Sequence, residues 1–366
     1  MIAQSEIAEK QRRVDEFLEA NGYDGLLLAR SDNFAWFTCG GSSFVNLAAE
    51  AGVGALLIER DRKTLITNNV ERGRLLQEEM DAVGFGEDVS PWYDDALDKA
   101  IARLASGRKI ASDVPLTGVM ACPSEIARLR WQLTPAEVER YRALGKEVGA
   151  AIGEAAMAAS PGMTEYEVAG ILSQQCWARG VAPIVVLIAA DERIAKYRHP
   201  IPTANTVQTG LMLVVCGRRH GLIVSATRMV QFGAVPAELR RKHDAVVAVD
   251  TAFNANTIPG QRIGEVFKAG LAAYAAEGFA GEWKLHHQGG PTGYAAREYR
   301  ATSDTADPVL PYQAFAWNPS ITGTKSEDTI IAAPDGPEII SASPGFPSLT
   351  VTAAGLTFER PDILVR

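Results

Sequence analysis

Residues 161–168 read PGMTEYEV and residues 259–266 read PGQRIGEV, so the chain contains one short pattern twice, 98 positions apart. Each copy has Pro-Gly, four intervening residues and then Glu-Val, and each lies between two stretches with helical periodicity. A pattern that repeats with its flanking helices predicts two related α/β halves with a cleft between them. The alternative is that these are two unrelated Pro-Gly turns, which are common before helices.

The segment Thr134-Pro135-Ala136-Glu137 predicts the start of a long helix and of a second domain. It combines an N-cap threonine, a proline at the first helical position and a glutamate three residues after the cap. We therefore expect two domains, residues 1–130 and 131–366. The first has the alternating signals of an α/β domain, namely a helix at 5–20, strands at 25–29, 52–59 and 63–68, a helix at 94–105 and a strand at 109–111.

The composition is that of a globular protein, with 47% hydrophobic and 22% charged residues among 366. The net charge is −8 with both signs mixed along the chain, which argues against nucleic acid as a partner. No apolar run approaches the roughly 20 residues of a membrane span, and the start, MIAQSEIAEKQRR, lacks the apolar core of a signal peptide. Widely spaced cysteines without a CxxC predict free thiols in the cytoplasm, and these are Cys39, Cys122, Cys176 and Cys216.

Polar residues within apolar strands are the candidates for chemistry. There is no Asp or Glu between Glu192 and Glu238, a span that includes two predicted central strands, 211–217 and 221–233. A dinuclear metal hydrolase needs carboxylates on such converging strands. These strands offer other side chains instead, namely Cys216, Ser225 and Thr227.

Histidine is scarce, with five in the chain, and three of them lie in the candidate segments: His199, His286 and His287. If residues 286 and 287 are in a strand, their side chains point to opposite faces and at most one faces the cleft. His243, in the charged run RRKHD (240–244), is expected on a solvated helix face. A zinc site from Cys216, His220 and another histidine is an alternative to a core cysteine and a solvated hairpin turn.

Several motifs, in this order and spacing, resemble the aminopeptidase P, prolidase and creatinase family. They are DGLLLARSDNFAWFTCG (24–40), His199-Pro200 with Gly210 eleven residues after the histidine, Thr227-Arg228 with Phe232-Gly233, and Glu327-Asp328-Thr329. The resemblance spans nearly the whole chain. It implies an α/β (α+β) fold class, with a small N-terminal creatinase-like α/β domain and a C-terminal pseudo-symmetric pita-bread domain. It also implies a homodimer.

The metal ligands of that family are where this sequence departs from it. Metal-dependent members use two aspartates, one histidine and two glutamates. By the resemblance these positions fall on Val214 to Cys216, Ser225, Gly290, Asn318 and Glu327. One remaining ligand of five cannot hold a pair of divalent ions, so we expect no metal and no cofactor.

Creatinase is the relative that works without a metal, and it supplies the expected roles. Its catalytic histidine matches His199, and its carboxylate-binding arginine matches Arg297, for which an ion pair with Glu298 is the alternative. Its two active-site glutamates fall on Thr227 and Asn318, and an arginine of its amino-terminal loop falls near Ser42. Creatine is therefore not the expected substrate, and ectoine hydrolase is a looser guide to the reaction class.

These observations predict a metal-independent hydrolase that cleaves a C–N bond in a small carboxylate-bearing metabolite. His199 would be the general base, Arg297 the carboxylate anchor and Glu327 a second catalytic group or a fold-stabilising hydrogen-bond acceptor. The alternatives are a non-catalytic binding or scaffold protein and an Xaa-Pro metallopeptidase. The remaining candidate substrate contacts are Asn318, Thr227, Ser225, His287 and Trp317.

Overall fold

The computed structural model describes residues 2–80, 84–94 and 96–366. The chain divides into two compact units, Met1–Glu137 with His220–Leu222, and Val138–Arg219 with Ile223–Arg366. The domain bounds proposed above, 1–130 and 131–366, stay a prediction. Across the described ranges, no helix combines the length and the apolar character that crossing a membrane demands.

The first unit is built on a six-stranded sheet with the order β4-β3-β2-β1-β5-β6. The strand β1 pairs antiparallel with β2 and parallel with β5, so it is central, and its three leucines are buried as its apolar run predicts. The elements in chain order are α1 (Ile2–Asn21), β1 (Gly25–Arg30), α2 (Ser31–Phe37), β2 (Ala51–Ile58), β3 (Lys63–Asn68), α3 (Arg72–Arg74), a π-helical turn (Leu75–Glu79), β4 (Phe85–Ser90), α4 (Ala96–Ala105), β5 (Ile110–Ser112), β6 (Met120–Ala121) and α5 (Pro123–Arg128). The predicted strands are confirmed, and residue 95 of the predicted helix 94–105 lies outside the described residues.

The second unit contains two four-stranded sheets, β18-β9-β8-β7 and β10-β11-β14-β15, and two small hairpins, β12-β13 and β16-β17. The helices are α6 (Pro135–Ala158), α7 (Glu165–Trp177), α8 (Glu192–Lys196), α9 (Ala237–Asn256) and α10 (Ile263–Ala276), with a 3-10 helix at Glu282–Leu285. The strands are β7 (Ala182–Ala190), β8 (Gly210–Arg219), β9 (Leu222–Gln231), β10 (Gly289–Thr292), β11 (Ala314–Trp317), β12 (Ser320–Ile321), β13 (Thr324–Lys325), β14 (Asp328–Ala333), β15 (Gly336–Ile339), β16 (Ser348–Ala353), β17 (Leu356–Pro361) and β18 (Ile363–Val365).

The repeated Pro-Gly pattern marks equivalent turns in the two halves of the second unit. Gly162 donates its backbone N–H to the carbonyl of Val207 at 2.8 Å, and Gly260 donates to that of Val309 at 2.9 Å. The first turn leads into α7 and the second into α10, and each half has its own four-stranded sheet. The predicted pseudo-symmetry is confirmed.

The helix α6 begins with the predicted cap and then packs through glycine. The backbone N–H of Glu137 donates to Thr134 Oγ1 at 3.3 Å, and the N–H of Thr134 donates to Glu137 Oε2 at 2.7 Å. Further along, a Cβ added to Gly149 would lie 2.3 Å from the carbonyl oxygen of Ala342. Gly145, one turn earlier, meets the carbonyl of Ile340 in the same way. Glycine at these positions therefore lets the backbone of 340–342 lie against the helix.

His243 is buried in α9, so its predicted position on a solvated face is wrong. Its Nε2 lies 3.2 Å from the carbonyl oxygen of Pro361, which only accepts, so Nε2 carries the proton and Nδ1 accepts from Thr324 Oγ1 at 2.8 Å. Burial lowers the pKa of His243 to about 4. The prediction was wrong because it relied on the charged residues around His243 in the run RRKHD (240–244). The helical period places His243 on the same face of α9 as Val246 and Asp250, which are buried.

A chain of alternating charges is buried beside β9 and β14. Arg228 Nη2 lies 3.0 Å from Asp328 Oδ1, and Arg360 Nη1 lies 2.9 Å from Asp328 Oδ2. Arg360 Nε also donates to Asp250 Oδ2 at 3.1 Å. These four side chains are at most 1% exposed. Together they join β9, β14, β17 and α9, and each carboxylate has a cationic partner.

Candidate functional site

Two adjoining groups of predicted site residues come together in the second unit. One is an ion-paired carboxylate, Glu327, directly before β14. The other is a cluster of imidazoles. The contributing segments are the loop after α8 (His199), strand β9 (Ser225 and Thr227), the residues before β10 (His286 and His287), the loop after β10 (Arg297) and the β13–β14 connection (Lys325 and Glu327).

Glu327 is buried and holds three partners. Lys325 Nζ lies 2.7 Å from Oε2, and Arg297 Nη2 lies 2.9 Å from Oε1. Thr227 Oγ1 donates to Oε2 at 2.7 Å. Burial would raise the pKa of Glu327, but the charges of Lys325 and Arg297 lower it, and the result is a pKa of about 2. Glu327 is therefore ionised at neutral pH.

This environment does not fit a carboxylate-bridged pair of divalent ions. Both oxygens of Glu327 already contact cationic side chains, which would repel a metal at the same place. Among the residues that the structure describes, the one group of three or more converging His, Cys, Asp or Glu side chains consists of histidines alone.

The three imidazoles of His199, His286 and His287 contact one another. Nε2 of His286 lies 3.1 Å from Nε2 of His199, and the rings of His286 and His287 have centroids 4.4 Å apart. His199 is exposed, whereas His286 is buried. The expectation that at most one of residues 286 and 287 reaches the site is therefore wrong. Strand pairing starts only at Gly289, so the alternation of a regular strand does not apply to them.

All three imidazoles are neutral near pH 7. Burial, followed by the charge of Lys325, lowers the pKa of His199 below its ordinary value. The same two causes lower the pKa of His286 to about 2. For His287, burial and then the charge of Arg297 lower the pKa to about 4. Burial is therefore the main reason why the imidazoles are unprotonated, and the cations that hold Glu327 add to its effect.

Arg198 fixes the loop that carries His199. Its Nη2 donates to Glu282 Oε2 and to Thr322 Oγ1, each at 2.9 Å. Glu282 begins the 3-10 helix that leads directly to His286. One arginine thus ties the loop after α8 to the segment of the other two histidines, which accounts for their proximity.

The strand β9 places Ser225 and Thr227 on one face, two residues apart. Ser225 Oγ lies 3.3 Å from Cys216 Sγ and accepts from Arg297 Nη1 at 3.3 Å. Burial raises the pKa of the Cys216 thiol, so it is not a thiolate at neutral pH. His220 occupies the turn between β8 and β9 with a φ of 51°, as expected for a hairpin turn. Neither Cys216 nor His220 belongs to the described histidine group, which argues against the alternative zinc site.

Arg297 pairs with Glu327 and not with its sequence neighbour Glu298 as the alternative had it. Its Nη1 and Nη2 both have protein acceptors, and its buried Nε has none. Its role as a carboxylate anchor stays a prediction. A substrate carboxylate that binds Arg297 would interact with the positive charge of its guanidinium group and accept a hydrogen bond from its Nε–H group.

Trp317 is a core residue, and its prediction as a substrate contact is corrected. Its side chain is fully buried, stacks on Phe253 with ring centroids 4.7 Å apart, and donates from Nε1 to Thr257 Oγ1 at 2.9 Å. Asn318 directly follows the end of β11 and is buried. Its Oδ1 is buried with no hydrogen-bond partner, so it is an available acceptor.

Gly290 has a φ of 144° and no room for a side chain. A Cβ there would lie 2.9 Å from the backbone nitrogen of Ala301 and 2.9 Å from the carbonyl oxygen of Tyr299. By the resemblance this is the position of a metal-ligating histidine. The backbone of 299–301 fills the space that such a side chain would need.

Lys325 is a site residue that the sequence prediction missed, and His286 is one that it left as an alternative to His287. Lys325 lies two residues before Glu327, and such a spacing puts two side chains on the same face of an extended chain. That signal was present in GTKSEDT (323–329). The contact between His286 and His199 forms only in the folded chain. The sequence carries no signal of that contact.

Two α/β halves with equivalent turns, and a histidine and glutamate site between their strands, define a protein of the pita-bread class. The sequence profile described as Metallopeptidase family M24 matches residues 139–334, and that of the Creatinase/Prolidase N-terminal domain matches residues 10–143. The chain belongs to metallopeptidase family M24. This confirms the family and the fold class expected from the motifs.

Solved structures with the same fold share little sequence with this chain. The Xaa-Pro dipeptidase from Bacillus anthracis matches with a TM-score of 0.79 and 17% identity, over 98% of this chain and 100% of that one. The prolidase from Pyrococcus horikoshii has a TM-score of 0.78 and 17% identity, over 92% and 98%. The N-terminal domain of a FACT complex subunit from Cicer arietinum has a TM-score of 0.70 and 10% identity, over 92% and 96%. No curated protein matches the sequence.

Proposed function

We propose that this chain is a hydrolase that cleaves a C–N bond in a small carboxylate-bearing metabolite without a carboxylate-bridged metal pair. The observation that supports it is the pairing of Glu327 with Lys325 and Arg297 beside a neutral, exposed imidazole, that of His199. The positive charges of Lys325 and Arg297 compensate the negative charge of Glu327. His199 can act as a base because its imidazole is neutral.

In this proposal His199 moves the protons of the reaction. Its imidazole accepts a proton from water as the water oxygen bonds to the electrophilic carbon. The C–N bond then breaks, and the imidazolium returns that proton to the leaving nitrogen, so one water is consumed and His199 is regenerated. The neighbouring His286, 3.1 Å away, orients the His199 ring through their shared hydrogen bond.

The charge of the site favours an anionic substrate. Lys325 and Arg297 together carry two positive charges against the single negative charge of Glu327, so one positive charge remains for a ligand. The buried Nε–H of Arg297 is an unused donor, and Oδ1 of Asn318 is an unused acceptor. A substrate with a carboxylate and a nearby N–H group would satisfy both.

The reacting carbon must already be electrophilic, because no metal pair polarises it in this scheme. Amidines, strained rings and activated amides meet this requirement better than ordinary peptide bonds do. The substrate class is therefore a small acid that carries one of these groups.

The test is a mass-spectrometric screen of such acids against chelator-treated protein. We expect turnover that survives chelation and falls by about 10²–10⁴ in His199→Ala, because a general base typically contributes that factor. His220→Asn is the matched control, since His220 lies in a turn and Asn tolerates its positive φ. Full turnover in His199→Ala would show that the base is assigned wrongly.

An Xaa-Pro peptidase is a second candidate, and the comparisons favour it at least as strongly. The family is one of metallopeptidases, and two of the matched structures are an Xaa-Pro dipeptidase and a prolidase. Its signature is hydrolysis of Xaa-Pro dipeptides that is lost on chelation and restored by Mn²⁺ or Co²⁺. That result would replace the metal-independent scheme.

A non-catalytic binding protein is the third candidate. The likeness to a domain of a FACT complex subunit shows that this fold is not confined to structures described as peptidases. Its signature is a ligand that raises the melting temperature and is recovered unchanged after prolonged incubation.

A further inference from the structure

The cluster of His199, His286 and His287 has more ring nitrogens than the protein satisfies. Three imidazoles carry six nitrogens, and one hydrogen bond, between His199 and His286, joins two of them. Nδ1 of His286 and Nδ1 of His287 are buried and have no hydrogen-bond partner in the protein. Buried polar atoms without partners are rare in native structures, so this cluster has hydrogen-bonding capacity that the protein does not use. In His286 the nitrogen that faces His199 is Nε2, so a ligand shared by these two rings would contact Nε2 and not the unpartnered Nδ1.

The spacing of the nitrogens suits a single metal ion. Zinc binds imidazole at about 2.0–2.1 Å in tetrahedral geometry, which sets two ligand nitrogens about 3.3–3.4 Å apart. Nε2 of His199 and Nε2 of His286 are 3.1 Å apart. One nitrogen from each of the three rings lies within 4.8 Å of the other two, so only the third ring needs to approach. The exposed position of His199 provides a route from solvent.

The surrounding charges select which ions could bind. Lys325 and Arg297 lie in the adjoining group and disfavour any cation that is held by charge alone, as Mg²⁺ and Mn²⁺ are. Copper, nickel and zinc ions form stronger bonds to neutral imidazole, and three such bonds can outweigh this repulsion. The cluster contains no carboxylate, which also disfavours the harder ions.

We propose that His199, His286 and His287 form a mononuclear site for a transition-metal ion of the zinc and copper class. The site is separate from Glu327, whose oxygens stay with Lys325 and Arg297. A bound ion takes the ring nitrogen of His199, so it competes with the role of this residue as a base.

Equilibrium dialysis of untagged, full-length, chelator-stripped protein tests the site. The protein is dialysed in turn against Zn²⁺, Cu²⁺, Ni²⁺, Mn²⁺ and Mg²⁺, and the metal is measured by plasma mass spectrometry. We expect about one Zn²⁺ or Cu²⁺ per chain and no saturable uptake of Mn²⁺ or Mg²⁺. Cobalt-loaded protein should show the visible absorption bands of a four-coordinate ion.

Two variants and one control locate the ion. His199→Gln and His286→Gln should each weaken Zn²⁺ binding by more than about tenfold, because each removes a ligand. His199 is exposed, so its variant is informative even if His286→Gln fails to fold. The control is His220→Asn, which should bind the ion as the parent protein does. Absence of saturable Zn²⁺ and Cu²⁺ binding, or unchanged binding in His199→Gln, would overturn the proposal.

The measurement is independent of the proposed function because it needs no substrate. Failure to bind an ion would leave the hydrolase proposal untouched. Saturable Mn²⁺ binding that is lost in Glu327→Gln but kept in His286→Gln would instead assign the ion to Glu327. That outcome contradicts both the histidine site and the metal-independent scheme.

Discussion

Lys325 sets the charge of the candidate site through its contact with Glu327. The two side chains are 5% and 3% exposed, so little solvent screens their interaction. A buried ion pair adds little net stability compared with apolar residues, but removal of one partner leaves a charge without compensation. The lysine also lowers the pKa of the three neighbouring histidines, His199, His286 and His287.

The substitution Lys325→Met keeps the length of the side chain and removes its charge. We expect the pKa of His199 to rise toward its ordinary value, because Lys325 is the charge that lowers it most. The acid limb of any activity that needs neutral His199 would then move to higher pH. Titration of the His199 ring proton by NMR measures this shift without a substrate.

Stability provides a second measurement on the same variant. Glu327 would keep only Arg297 as a cationic partner, and loss of a buried partner typically costs about 3–5 kcal/mol in the free energy of unfolding. Lys268→Met is the control, since Lys268 forms a half-exposed pair with Glu265. An unchanged His199 titration in Lys325→Met would contradict the electrostatic account.

Sequence motifs indicated His199, Arg297 and Glu327, because the resemblance to the family, and to creatinase within it, pointed to these positions. They did not reveal the partners of those residues. Arg297 contacts Glu327 across 30 positions, and only the folded chain brings the two together. Trp317 was misassigned for a related reason, since the side of a strand that faces the core depends on the neighbouring helix, here through Phe253.

At the scale of elements, α6 depends on glycines that face a nearby backbone. The positions Gly145 and Gly149 are one turn apart, and both face the segment 340–342. A helix interior normally disfavours glycine by about 0.5–1 kcal/mol relative to alanine. These glycines are retained against that preference because carbonyl oxygens occupy the space of a side chain.

The substitution Gly149→Ala should therefore destabilise the protein despite the better helix propensity of alanine. The added Cβ would lie 2.3 Å from the carbonyl of Ala342, and such overpacking typically costs about 1–3 kcal/mol. Gly170→Ala in α7 is the matched control, because nothing lies within 4 Å of its Cβ position. It should stabilise by about 0.5–1 kcal/mol. Urea unfolding of both variants measures the difference, and equal effects would refute the packing argument.

The elements themselves were largely predictable from local signals. The capping pattern at Thr134 and Glu137 marked the start of α6, and the apolar run at 25–29 marked β1. The residues before β10 were not predictable in this way. Gln288 donates its side-chain N–H groups back to the carbonyls of Trp283 and His286, which holds the chain out of a regular ladder.

At the scale of the whole molecule, the buried charges of the second unit bind distant parts of the sequence. Arg360 near the carboxyl end contacts Asp250 in α9 and Asp328 in β14. Burial tends to raise the pKa of Asp250, and Arg360 opposes that effect. The ionised form of Asp250 therefore depends on a residue 110 positions away.

The substitution Arg360→Met should lower the free energy of unfolding by about 3–5 kcal/mol, because two buried carboxylates lose a partner. Addition of salt should leave this loss nearly unchanged, since the network is screened from solvent. Arg241→Met removes an exposed pair with Glu238 and should cost no more than about 1 kcal/mol. Unfolding of both variants in urea, which unlike guanidinium chloride adds no salt, is measured at two ionic strengths. The comparison shows whether the loss in Arg360→Met is larger than in Arg241→Met and independent of salt. A loss in Arg360→Met as small as that of the control would contradict the role of the network.

The closed backbone around Gly290 limits what can be engineered from this scaffold. A histidine introduced at position 290 would not by itself produce a usable ligand. The backbone of residues 299–301 would first have to move away, and the φ of 144° at this position would have to change. Protein designers who wish to install a metallohydrolase here would have to rebuild that loop before choosing ligands.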